Sequence, residues 1–139
     1  MIPELKGKVL KTHKTRAYAA YMKDLEATLG TPSAAETARV ALFFGVTIAR
    51  DFDVLEKMGM VLNETLMGGH EITWTRPFEP DEEVEVTVTL ADVQDRGKNR
   101  IAVIESRFQT PGGEEIQRQY STFVHLGGAG RGKTAEAAA

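Results

Sequence analysis

The chain has 139 residues, 42% apolar and 27% charged, with a net charge of -3 and no cysteine. That length and composition suit one soluble globular domain with a sizeable core. The charge balance favours neither nucleic acid nor an anionic membrane as partner, and the lack of cysteine excludes disulfides, thiolate catalysis and Cys-ligated metals while fitting a cytosolic home.

Met1-Ile2-Pro3-Glu4-Leu5-Lys6 lacks the apolar core of a signal peptide. Residues Met1 to Lys8 read as an extended lead-in and Val9 to Thr12 as a short edge strand. Thr15 is the N-cap residue expected for a helix running through Leu29. Ala17, Tyr18, Tyr21, Met22, Leu25 and Leu29 recur on it at helical spacing. Gly30 closes that helix, and Pro32 prevents its continuation.

Ser33 and Glu36 form a capping box that opens a long second helix, expected from Ala34 to Gly59. Its part from Val40 to Ile48 is apolar nearly all round, which means burial on most sides. Such a run also suits a buried strand, but the spacing of Ala38, Leu42, Val46 and Ala49 into Phe52, Leu55 and Met58 favours helix. The apolar run as far as Ala49 is too short to span a bilayer. Gly45 costs that helix about 1 kcal/mol against alanine, so it belongs where a backbone must come close to something.

Gly68-Gly69 frees the backbone just before the first long strand. Pro77 at the end of that strand calls for an edge or a bulge, and Pro80-Asp81 makes the turn. In the next strand, about Glu83 to Val93, Val84, Val86, Val88 and Leu90 alternate with polar residues, so one face is buried. Asp95 to Asn99 is a hairpin loop, and a third strand follows to Gln109. Thr110-Pro111-Gly112-Gly113 turns into a fourth strand, about Glu114 to Leu126. These β segments make an antiparallel meander whose apolar face needs a cover, and Val40 to Ile48 is the cover. The tail, Gly127 to Ala139, is expected to be disordered.

A long buried helix followed by an antiparallel meander is the element order of the α+β hotdog fold, a sheet wrapped around a central helix. The stretch Leu66-Met67-Gly68-Gly69-His70-Glu71-Ile72-Thr73-Trp74-Thr75-Arg76-Pro77-Phe78-Glu79-Pro80-Asp81-Glu82 resembles the G-x-x-x-x-x-x-R-P-hydrophobic-x-x-G-D segment of MaoC-like dehydratases. The similarity is to their N-terminal, non-catalytic half-units (the FAS1-type dehydratase halves). Thr110-Pro111-Gly112-Gly113-Glu114-Glu115-Ile116, leading to Tyr120-Ser121-Thr122, is similar to that family's entry into its last strand. The resemblance runs from about Tyr18 to Leu126, within one hotdog domain over residues 1–126.

The resemblance implies hydration or dehydration of enoyl and 3-hydroxyacyl thioesters of CoA or acyl carrier protein in fatty acid metabolism. The thioester is the substrate, and no further cofactor is implied. Catalytic members carry an Asp and a His in a Gly-Asp-x-Asn-Pro-x-His stretch after the first helix. One group moves the C2 proton, the other handles the water, and a backbone N–H polarises the carbonyl. Aligned on Gly30, this chain has Thr31 at the Asp and Glu36 at the His, and threonine is no carboxylate base. The resemblance therefore implies a dyad-less, acyl-binding half that pairs as a homodimer or as a heterodimer with a dyad-bearing hotdog subunit. It places Phe43, Phe44, Gly45, Met67, Gly68 and Gly69 along the acyl channel.

Among titratable residues His70 is the first catalytic candidate, because it follows two glycines and opens a strand. The bland reading is a surface or partly buried strand histidine with no acidic partner fixed nearby in sequence. Asp51 and Asp53, with Glu56, read first as a solvated acidic face. One of them is the alternative carboxylate of a hotdog thioesterase. Phe43, Phe44, Met58, Met60 and Met67 read first as plain core, which is compatible with lining an acyl channel. His13 and His125 lie near element ends. No metal is expected, since the three histidines lack ligand spacing. A binding or scaffold protein without chemistry also remains open.

Overall fold

The computed structural model describes residues 3–30, 45, 46 and 48–129. Five strands, β1 (Val9–Arg16), β2 (Thr65–Trp74), β3 (Glu83–Arg96), β4 (Asn99–Gln109) and β5 (Glu115–His125), form one sheet. Its order is β1-β3-β4-β5-β2, and every pairing is antiparallel. The alternation read in β3 buries Val84, Val86, Val88 and Leu90 completely or nearly so. The β3–β4 hairpin is tighter than the expected five-residue loop. Arg96 pairs with Asn99, so only Gly97 and Lys98 remain in the turn, with Gly97 at φ 60°.

The first helix, α1 (Ala19–Leu29), starts later than the sequence suggests. Thr15 does not cap it; that residue belongs to β1 and pairs with Val84. The cap comes from elsewhere in the chain. Asp81 Oδ1 accepts a hydrogen bond from the Ala19 N–H at 3.1 Å across 62 positions. The Asp81 N–H in turn donates to the Ala17 carbonyl at 2.6 Å. Gly30 ends α1 in the left-handed conformation, as expected.

The second helix ends earlier than expected. Residues 45, 46, 48 and 49 are helical, but Arg50 takes φ 54° and breaks the helix there rather than at Gly59. Two 3₁₀ turns follow, Asp51–Val54 and Glu56–Met58. The break is held by the Asp53 N–H donating to the Arg50 carbonyl and by an Arg50–Asp53 ion pair at 2.9 Å. The apolar spacing still reports burial, since Val54, Leu55 and Met58 are almost wholly enclosed. Ser33, Glu36 and the run from Val40 to Phe44 lie outside the described residues.

The helical residues cover the sheet's inner face. Ile48 and Ala49 join one core with Met22 of α1, Phe78, Phe108, Phe123 and the valines of β3. The Ile48 carbonyl accepts from His13 Nε2 of β1 at 3.1 Å, while Gly45 stands against Gln117 of β5. The segment thus lies between two strands that are not neighbours in the sheet, which is what wrapping means here. Gly127 and Ala129 hydrogen-bond back to Asn99 and Lys98 at the β3–β4 turn, and residues 130–139 lie outside the described residues.

Candidate functional site

The inner face of β5 is unlike the rest of the core. In its alternating row stand Gln117, Gln119, Ser121, Phe123 and His125, all at most 1% exposed. Sequence alternation could not assign this face, because Arg118, Tyr120 and Thr122 make the other side polar too. Both amide atoms of Gln117 and of Gln119, and the Ser106 hydroxyl of β4, lack a hydrogen-bond partner among the described residues. Ser106 stands directly opposite Gln119 in the register. Leaving one such buried group unpaired costs about 1–3 kcal/mol.

Next to this row, β2 is an edge strand. Its inward positions follow from pairing: His70 opposite Ser121, Ile72 opposite Gln119 and Trp74 opposite Gln117. His70 Nδ1 lies 3.1 Å from Ser121 Oγ. His70 is exposed while Ser121 is fully buried. This pair therefore joins solvent to the polar row. Trp74 is 41% exposed and Met67 47%.

Gly68 and Gly69 lie inside β2 rather than before it, at a bulge where the register with β5 shifts. A Cβ on Gly68 would stand 3.1 Å from Val124 Cγ2, and one on Gly69 would meet Thr122. Val124 and Thr122 belong to the outer row of β5, so both glycines face outward. Gly69, His70 and Glu71 line a shallow outer recess of about 450 Å³ with Val103, Tyr120 and Thr122. There the Tyr120 hydroxyl donates to Glu105 Oε2 at 2.9 Å.

The remaining candidates lie apart. Asp53 is exposed and ion-paired with Lys11 and Arg50, each at 2.9 Å. The hydrogen bond from Lys11 holds its carboxyl below the usual range. Lys11 is on β1 and His70 on β2, at opposite ends of the sheet, four strand spacings of about 4.8 Å apart along it. Asp53 and His70 therefore do not form a couple. Glu56 is exposed. The side chain of Asp51, like Phe43 and Phe44, lies outside what the structure describes. Met58 and Met60 are core. His125 is buried, with Nε2 3.3 Å from Glu64. No cluster of three metal-ligating side chains occurs among the described residues.

No family model and no curated protein matches the chain. Solved structures do. A chain of the HadBC (3R-hydroxyacyl-ACP dehydratase) complex from Mycobacterium tuberculosis is similar with a TM-score of 0.70 at 12% identity, over 89% of this chain and 99% of that one. A MaoC-like dehydratase from Rhodospirillum rubrum is similar with a TM-score of 0.62 at 21% identity, over 87% and 92%. The ChsH1–ChsH2 complex from Mycobacterium tuberculosis gives 0.61 at 13%, over 90% and 86%. The fold is the hotdog fold of these structures.

In this hotdog the Arg76-Pro77-Phe78 stretch is a structural clamp. Arg76 donates to both carboxylate oxygens of Glu82, at 3.1 and 2.9 Å, and to Glu114 at 2.9 Å. These contacts push its guanidinium pKa further up. Phe78 packs edge-to-face on Phe108 with ring centroids 5.7 Å apart. Arg76 thus ties the β2–β3 connection to the turn before β5, and Asp81 in that connection caps α1.

Proposed function

We propose that this chain is the acyl-binding, non-catalytic half of a hydratase or dehydratase acting on enoyl and 3-hydroxyacyl thioesters of CoA or acyl carrier protein. One observation carries the reading: a hotdog fold like that of a dehydratase complex, with Thr31 and Glu36 in the sequence where the family's catalytic pair belongs. Two of the similar structures, HadBC and ChsH1–ChsH2, are complexes by name, which supports pairing with a dyad-bearing hotdog subunit. The edge strand β2 supports it too. It is ten residues long and carries exposed Leu66, Met67 and Trp74, and such an edge favours pairing with another strand.

In this reading the partner supplies the groups that move the proton and the water. This chain supplies the inner face that holds the acyl group, with His70 and Ser121 at its margin. The test is to isolate the chain from its host together with whatever accompanies it. The companion should carry a Gly-Asp-x-Asn-Pro-x-His stretch, and hydration of crotonyl-CoA should follow the pair. Isolation of the chain as a lone, inactive monomer, with no such companion, would count against the reading.

A further inference from the structure

The face that would hold the acyl group is apolar on one side only. On β3 the inner row is Val84, Val86, Val88 and Leu90. On β5 it carries the carboxamides of Gln117 and Gln119, with Ser106 across from Gln119. Those amides and that hydroxyl are buried and have no hydrogen-bond partner among the described residues. A chain that needed only a core at these positions would place leucine or methionine there, which fill similar volume without polar atoms. The inward side of β2, with the exposed His70 and Trp74, borders this row.

We infer that this face takes an acyl group bearing hydrogen-bonding functions along its length, hydroxyl, keto or amide, rather than a plain alkyl tail. The inference rests on the acyl-thioester reading above and narrows its substrate class. A carboxamide both donates and accepts, so Gln119 and Ser106 together suit a hydroxyl or carbonyl oxygen. A methylene chain there would leave them unpaired. The amides of a CoA pantetheine arm share this chemistry, so the test must separate the two sources.

Trp74 is the single tryptophan of the chain and sits at the rim of this face, so its fluorescence reports binding. The full chain, with its partner if it purifies with one, is titrated with octanoyl-CoA, with octanoyl-CoA oxygenated in mid-chain, and with unacylated CoA. The oxygenated ligand should bind about tenfold tighter than the plain one, roughly the factor of one hydrogen bond to a buried neutral group. Gln119→Leu should abolish that preference without lowering the melting temperature, and Ser106→Ala, a milder change, should reduce it. Equal binding of the two acyl ligands overturns the inference alone, as does a preference that survives both substitutions. Unacylated CoA binding as tightly as the oxygenated ligand assigns the amides to the pantetheine arm and also overturns it. A large fall in melting temperature for Gln119→Leu would show that the amide holds the fold, and that too overturns it. Failure of every acyl-CoA to bind overturns the acyl-thioester reading itself.

Discussion

Gly45 lies so close to Gln117 that a Cβ built on it would stand 2.7 Å from the amide nitrogen and 2.9 Å from the amide carbon. Helix propensity alone favours alanine over glycine by about 1 kcal/mol. Overpacking against a fully buried side chain costs about 1–3 kcal/mol. The second effect wins because Gln117 has no exposed surface to move into. Gly45→Ala should therefore lose about 1 kcal/mol in urea unfolding. The same substitution made on a Gln117→Ala background should cost nothing or stabilise.

Asp81 should behave as the N-cap of α1 although it is remote in sequence. Asp81→Ala should destabilise by about 1 kcal/mol, measured by chemical denaturation. Asp81→Asn should retain most of the stability, because its side-chain oxygen still accepts from the Ala19 N–H and asparagine tolerates the φ of 63° found here.

Arg76 and Glu82 are both mostly shielded, with side chains 22% and 12% exposed. Arg76→Ala should cost about 2 kcal/mol, as the loss of hydrogen bonds to a charged group. Arg76→Lys should recover little, because an ammonium cannot span both carboxylate oxygens. Thermal unfolding of the two variants side by side checks this.

His13 should make the fold sensitive to acid. The Ile48 carbonyl can only accept, so Nε2 carries the proton of the neutral ring. Burial is the largest influence on the ring and lowers its pKa, and Lys11 and Arg50 push the same way. The folded state therefore binds the proton more weakly than the unfolded chain. Stability is full above the unfolded value, about 6.5, and falls as the pH drops below it. His13→Asn should flatten that fall when denaturation midpoints are compared between about pH 7 and pH 5.

These residues also show what could be read in advance. The valines of β3 were legible because one face is wholly apolar and the other polar, which fixes inside and outside. Gly45 was legible as a close approach, though not its partner. The capping of α1 was not, because Thr15 satisfies the local rule while Asp81 arrives through the fold from 62 positions away. The end of the second helix was missed because Arg50 adopts a left-handed conformation that a non-glycine residue does not advertise. The polar row of β5 was missed for a different reason: Gln117, Gln119 and Ser121 alternate with residues just as polar, so hydropathy gives no sign of which set is buried.

The most direct test of the proposed non-catalytic role is turnover of crotonyl-CoA by this chain, purified alone and then mixed with any hotdog subunit that accompanies it. The chain alone should give no hydration above background, and the pair should hydrate the substrate. His70→Ala in this chain should leave the pair active, since in the proposed role the proton-moving groups belong to the partner. Steady hydration by the chain alone, lost on His70→Ala, would contradict that role.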